Sequence, residues 1–216
     1  MKQHFCSWWG AFKPDWRQWC LALLLPAVVA CTTTPPQNPD NVCEVFREKK
    51  GWYKDAAKAR DKWGSPIHTM MAIIHQESRF VADAKPPRRK ILGFIPGPRK
   101  SSAYGYPQAK DETWETYERS TGEYGDDRDD FGDALNFIGW YNDQSYQRNH
   151  IPKYDTYQLY LAYHEGQGGF QRGTYKNKNW LQQVAKKVAS QGWRYKTQLD
   201  SCEADLKKRH RFLGIF

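Results

Sequence analysis

The 216 residues suffice for one domain of ordinary size or two small ones. With 39% hydrophobic residues, 10 Trp, 13 Tyr and 10 Phe they can build a core, which excludes a disordered chain, and a mean hydropathy of −0.89 excludes a polytopic membrane protein. The formal charge of +9 implies an anionic partner or surface and leaves open nucleic acid, anionic lipid and acidic cell-wall polymer.

The first stretch is an address. Lys2, Lys13 and Arg17 make a basic opening, and Cys20–Ala30 is an apolar run of signal-peptide length, far too short to span a bilayer. It ends in Val28-Val29-Ala30-Cys31, which resembles a bacterial lipobox, the signal for cleavage before Cys31 and acylation of that cysteine. An ordinary secretory signal with a chance cysteine, or an N-terminal membrane anchor, is the alternative. The small residue directly before Cys31 and the polar tail after it favour the lipobox. Residues 1–30 are thus read as a lipoprotein signal and 31–42 as a lipidated N-terminus and extended tether, with the folded domain at 43–216. By analogy with lipoprotein sorting, Thr32 in place of Asp points to the outer membrane, facing the periplasm. Removing residues 1–30 takes away three basic residues and one acidic one, leaving +7 in a compartment where no nucleic-acid partner is expected.

The five cysteines sort the same way. Cys6 and Cys20 leave with the signal, Cys31 carries lipid, and Cys43 and Cys202 remain at the two ends of the domain. An oxidising periplasm favours their pairing over two free thiols, as a structural disulfide. Closing so long a loop stabilises by about 5 kcal/mol on the chain-entropy model, an upper figure.

From Cys43 onward the periodicity is helical, with no internal repeat. Val42, Phe46, Tyr53, Ala56, Ala57 and Trp63 share one face of a first helix, disturbed at Gly51. Ser65-Pro66 predicts an N-cap followed by proline at the first position of a helix that reads on through Ile67 to Glu77. Further helices are predicted near 111–120, 128–148, 155–164, 178–190 and 195–209. The acidic run Asp126–Asp130 reads as a helix start. Strand-like alternation is scarce, so the predicted class is all-α, or α+β with at most a small sheet within 85–107.

Glu77 stands out. Met70, Ile73 and Ile74 precede it by seven, four and three positions, so its side chain continues an apolar stripe. Burial disfavours the charged carboxylate, and so does the nearby C-terminal end of the helix dipole. Both raise the pKa, the direction a general acid at neutral pH requires. A rim glutamate paired with a surface cation is the competing reading from this helix alone.

Three blocks then bring a family into view. Glu77-Ser78-Arg79-Phe80 with Ala82 and Ala84, Ser102-Ala103-Tyr104-Gly105-Tyr106-Pro107-Gln108, and Ala162-Tyr163-His164-Glu165-Gly166 resemble, in order, blocks of the soluble lytic transglycosylase domain. The resemblance covers most of 43–200 and implies a lysozyme-like helical fold. It implies that Glu77 is the single catalytic acid/base, that Ser78 helps place substrate and carboxylate, and that Gln108 hydrogen-bonds the glycan. It also implies that the Tyr163 hydroxyl reaches toward the glutamate. His164 stands where asparagine is usual, in the cleft, and Tyr106-Pro107 replaces Leu-Met, withdrawing one backbone donor.

The implied substrate is the glycan strand of peptidoglycan, cut without water to a 1,6-anhydro product. A lysozyme-type muramidase of the same fold and a non-catalytic cell-wall-binding lipoprotein are the alternatives. Hydrolases commonly use two carboxyl groups, whereas Asp83, Asp111, Glu112 and Glu165 have no position that marks a partner for Glu77. No metal or organic cofactor is implied; His68 and His75 lie two turns apart without a third ligand. Residues 85–101 look like an insertion, rich in Lys, Arg and Pro, read as a solvated mobile loop or else as a hairpin over the cleft. Tyr141, Tyr146, Tyr154, Tyr157 and Tyr160 read as packing residues, one of which can face the groove, and Trp114 as core.

Overall fold

The computed structural model describes residues 34–213, with side chains to Lys208. The expected signal, Cys31 and the start of the tether lie outside the described residues. Residues 36–42, expected as the end of the tether, are laid against the domain instead. The Gln37 amide donates to Glu48 Oε2 at 2.9 Å, the Tyr195 hydroxyl to the Pro39 carbonyl, and Gln198 Nε2 to the Asp40 carbonyl at 3.2 Å. A proline- and asparagine-rich composition does not prevent a segment from docking when side chains of a distant helix satisfy its carbonyls.

The first predicted helix is two, α1 (Val42–Glu48) and α2 (Trp52–Trp63), parted at Gly51, whose φ of +98° no other residue adopts comfortably. Asn41 caps α1 by accepting from the amides of Cys43 and Glu44. Helix α3 (Ile67–Ser78) starts one residue later than predicted. Pro66 is its N-cap, and Ser65 is buried and accepts a hydrogen bond from Asn142 Nδ2 at 2.9 Å, so a tertiary partner takes the hydroxyl that local chemistry assigned to capping. Eight of the twelve residues of α3 are buried, as fits a helix enclosed by others.

β1 (Arg88–Ile91) and β2 (Ile95–Arg99) then form one antiparallel hairpin, Ile91 opposite Ile95 and Arg88 opposite Arg99, inside the predicted window. Next come α4 (Asp111–Thr121) and α5 (Phe131–Asn149), the latter capped by Asp130 as the acidic run implied, and α6 (Thr156–Glu165). After α7 (Gln167–Gln171) and a 3-10 turn at Thr174–Asn177, the two predicted C-terminal helices prove to be one, α8 (Asn179–Leu213). Gly192 does not break it. A Cβ there would stand 3.3 Å from the Thr156 side chain, so the glycine is where α8 and α6 cross closely.

Helix α3 packs between α8 and α5, α2 lies on α5, and α6 on α8. The Trp52 ring stacks on Phe131 at 3.6 Å, with Tyr106 edge-on to both, which ties α2, the start of α5 and the 103–109 loop together. Cys43 and Cys202 are joined, Cα atoms 6.2 Å apart, linking α1 to α8 across 159 residues. The architecture is the helical, lysozyme-like one expected, with a single small sheet among the described residues. Trp114, Tyr141 and Tyr160 are buried as read, while Tyr146 and Tyr154 are exposed.

Candidate active site

Where the end of α3 meets α5, α6 and the 103–110 loop there is a cavity of 370 Å³. Glu77, Gln108, Tyr141, Tyr163, His164 and Glu165 line it, together with Ala103, Thr113 and Phe137. Four of the five residues implied by the family resemblance therefore meet at one cavity. Ser78 does not: it is buried, and its hydroxyl donates to the Ile74 carbonyl at 3.3 Å within its own helix.

Glu77 sits in the last turn of α3, followed by Arg79, an exposed left-handed C-cap at φ +50° whose amide donates to the His75 carbonyl. Burial pushes the Glu77 carboxyl up to about 7, and a hydrogen bond from the Tyr160 hydroxyl pulls partly the other way. At neutral pH the group is thus divided between acid and base forms, able to give a proton and take one back. Burial, with the Glu77 charge, holds the Tyr160 phenol itself well above its ordinary range.

Two tyrosines of α6 stand near this carboxyl. The Tyr163 hydroxyl donates to the Pro107 carbonyl at 2.5 Å and feels the Glu77 charge, while Tyr160, one turn earlier on α6, is the one whose hydroxyl hydrogen-bonds Glu77. Residues three apart share a helix face, so periodicity placed both rings on the correct side without deciding which hydroxyl arrives. Pro107, noted for a missing donor, contributes through its carbonyl. Tyr163 still frames the cavity, its ring edge-on to Tyr141 at 5.0 Å, and its hydroxyl is held un-ionised by burial and by the Glu77 charge.

Gln108 is held by its backbone and by its side chain. The 103–109 loop closes on itself through a Tyr104–Ala109 bridge and is pinned outside by Gly105 N to Ala84 O at 3.0 Å and Tyr106 N to Arg128 O at 2.9 Å. Gly105, at φ +76°, is required by that closeness: a Cβ would stand 2.1 Å from the Arg128 carbonyl oxygen. Both donors of the Gln108 amide are used by backbone carbonyls, Nε2 giving to Ala84 outside the loop at 2.8 Å and to Gly105 within it at 2.9 Å. The amide oxygen is left as an acceptor for whatever enters the cavity. Tyr106, in the place of a family leucine, fills the core.

Sequence reasoning gave Glu165 no role, yet it lines the cavity. Burial works to raise its pKa, but hydrogen bonds from Lys178, Thr174 and His164 outweigh this and hold it down at about 2. Lys178 Nζ lies 2.8 Å from both carboxylate oxygens, and His164 Nδ1 is 3.2 Å from one of them, its ring edge-on to Trp180. The cavity therefore carries two carboxyl groups of opposite character, and the locked one depends on a lysine in the turn before α8 that no local pattern near Glu165 announces. Residues 85–101 contribute nothing to the cavity wall. His75 is half-buried against Phe80 and Tyr195, and burial lowers its pKa. Among the described residues no group of three or more His, Cys, Asp or Glu could hold a metal ion.

Neither the curated proteins nor the solved structures contain a match to the chain. A family model does match, over residues 19–202, a span that takes in every residue of the cavity wall. With a half-buried glutamate at the end of a core helix, the pinned glutamine loop and the tyrosine block all on one cleft, the chain belongs to the transglycosylase SLT domain family.

Proposed function

We propose that this protein is a peptidoglycan lytic transglycosylase, cleaving the β-1,4 bond between MurNAc and GlcNAc without water. The observation that carries the reading is the Glu77 carboxyl on the cavity wall with Gln108 and Tyr163, where burial pushes its pKa up to about 7. Protonated Glu77 gives its proton to the glycosidic oxygen, and the MurNAc N-acetyl group supports the electron-poor C1. The resulting carboxylate then takes the proton of the C6 hydroxyl as that oxygen bonds to C1, closing the 1,6-anhydro ring. The proton lost in the first half is regained in the second, so one carboxyl group suffices. The Gln108 amide oxygen faces the incoming glycan as an acceptor, Tyr160 steadies Glu77, and Tyr141 and Tyr163 offer ring surface beside it.

A muramidase would need a second carboxylate to activate water, and Glu165 is the group available. With a pKa of about 2 and both oxygens engaged by Lys178, it has little affinity for a proton and serves poorly as a base, which favours the lyase. Digestion of purified sacculi tests the reading. The parent should release anhydro-muropeptides, each one water lighter than the hydrolytic product, and Glu77→Gln should release none. Reducing-end products, or equal release by the variant, would overturn it. We further propose that Cys31 is lipidated and holds the enzyme on the outer membrane facing the periplasm, a reading supported by the apolar run ending in Val28-Val29-Ala30-Cys31. Palmitate labelling of the parent, lost in Cys31→Ser, checks it.

A further inference from the structure

The hairpin of β1 and β2 is unlike the rest of the surface. Every residue of β1 is exposed and only Gly97 of β2 is buried, so neither face of the ribbon gains the packing that normally stabilises two strands in water. At its end Ile91, Leu92, Phe94 and Ile95 are 49%, 79%, 76% and 43% exposed. The other large exposed hydrophobic side chains among the described residues are all Tyr or Trp, so every large aliphatic one is gathered here. The turn residue Leu92 adopts φ +52°, a conformation that suits Gly, Asn or Asp and is strained for leucine. Turn formation therefore does not explain an apolar residue at the apex.

Behind the apex the charge is of one sign. Arg88, Arg89 and Lys90 lie on one strand and Arg99 and Lys100 at the end of the other, with no acidic residue between Asp83 and Asp111. Arg99 donates to the Pro86 carbonyl; Arg88, Arg89, Lys90 and Lys100 have no ion-pair partner among the described residues. From apex to cations is two to four residues, on the order of 7–13 Å at the rise of a strand. That offset approximates the depth from headgroup to acyl boundary reached by interfacial elements, about 5–10 Å.

We propose that this hairpin docks on a lipid bilayer bearing anionic headgroups, with Leu92 and Phe94 entering the interface and the basal cations meeting lipid phosphates. A glycan would use the cations through attached carboxylates but offers no medium for three aliphatic side chains. The proposal is independent of the chemistry at Glu77, since no hairpin residue lines that cavity.

The test is hydrogen exchange of the full chain in buffer, with equimolar phosphatidylglycerol–phosphatidylethanolamine vesicles, with phosphatidylcholine vesicles, and with sacculi. Reading the amides of residues 88–99 separates the hairpin from any binding by the N-terminal segment. Expected is protection of at least about tenfold on the anionic vesicles, weakened by salt and much smaller on phosphatidylcholine. Leu92→Ser with Phe94→Ser should abolish it while the helices exchange as in the parent, showing the variant folded. Unchanged hairpin exchange on anionic vesicles overturns the proposal. So does equal protection on phosphatidylcholine, or protection by sacculi alone, which would make the hairpin a cover for the cleft.

Discussion

The cost of ionising Glu77 inside the protein is measurable in folding itself. Its pKa rises from 4.5 to about 7 on burial, so between those values the folded chain keeps a proton that the unfolded chain has lost. The stability tied to this group is complete below about pH 4.5 and is lost as the pH rises through 7. A rise of about 2.5 units at 1.36 kcal/mol each amounts to about 3 kcal/mol against the folded state in alkali. Glu77→Gln keeps the shape and leaves a carbonyl oxygen to accept the Tyr160 hydroxyl, so it removes the charge and little else. The variant should exceed the parent in stability by up to about 3 kcal/mol near pH 8.5 and match it within about 0.5 kcal/mol near pH 4. Urea unfolding followed by circular dichroism, disulfide intact, gives both numbers. Equal stabilities in alkali, or a difference that does not change with pH, would mean that water solvates the carboxylate and would refute the reasoning. Paired with loss of activity, a gain in stability is what a strained catalytic group predicts.

Tyr160→Phe removes the hydrogen bond that favours the Glu77 carboxylate, so the alkaline limb of the pH–rate profile should move up by about one unit; a limb that stays or moves down contradicts the assigned contact. Gly105→Ala places a Cβ against the Arg128 carbonyl at positive φ. It should cost at least about 2 kcal/mol in thermal unfolding and reduce glycan cleavage through the displaced Gln108. Replacing both Cys43 and Cys202 by Ser should lower stability by about 2–5 kcal/mol in denaturant melts, and added reductant should then change the parent but not the variant.

Much of this protein is written locally. Intervals of three, four and seven residues put Glu77 on the buried face of its helix, and that alone predicted the direction of its pKa. The helical class follows from the same periodicity, and the order of the three blocks named the family before any coordinate did. What local spacing leaves undetermined is which distant group arrives at a given place. Ser65 lost its capping role to Asn142, Ser78 turned back onto Ile74, and Tyr160, read as a packing residue, joins Tyr163 beside Glu77. Glu165 was legible as an acid but not as a locked one, because Lys178 comes from a turn thirteen residues on. Gly192 weakens a helix in isolation, yet α8 runs through it where Thr156 of α6 leaves no room for a larger side chain. Helix faces depend on backbone geometry that each segment carries with it; hydrogen-bond partners and close crossings depend on how finished helices are set against one another.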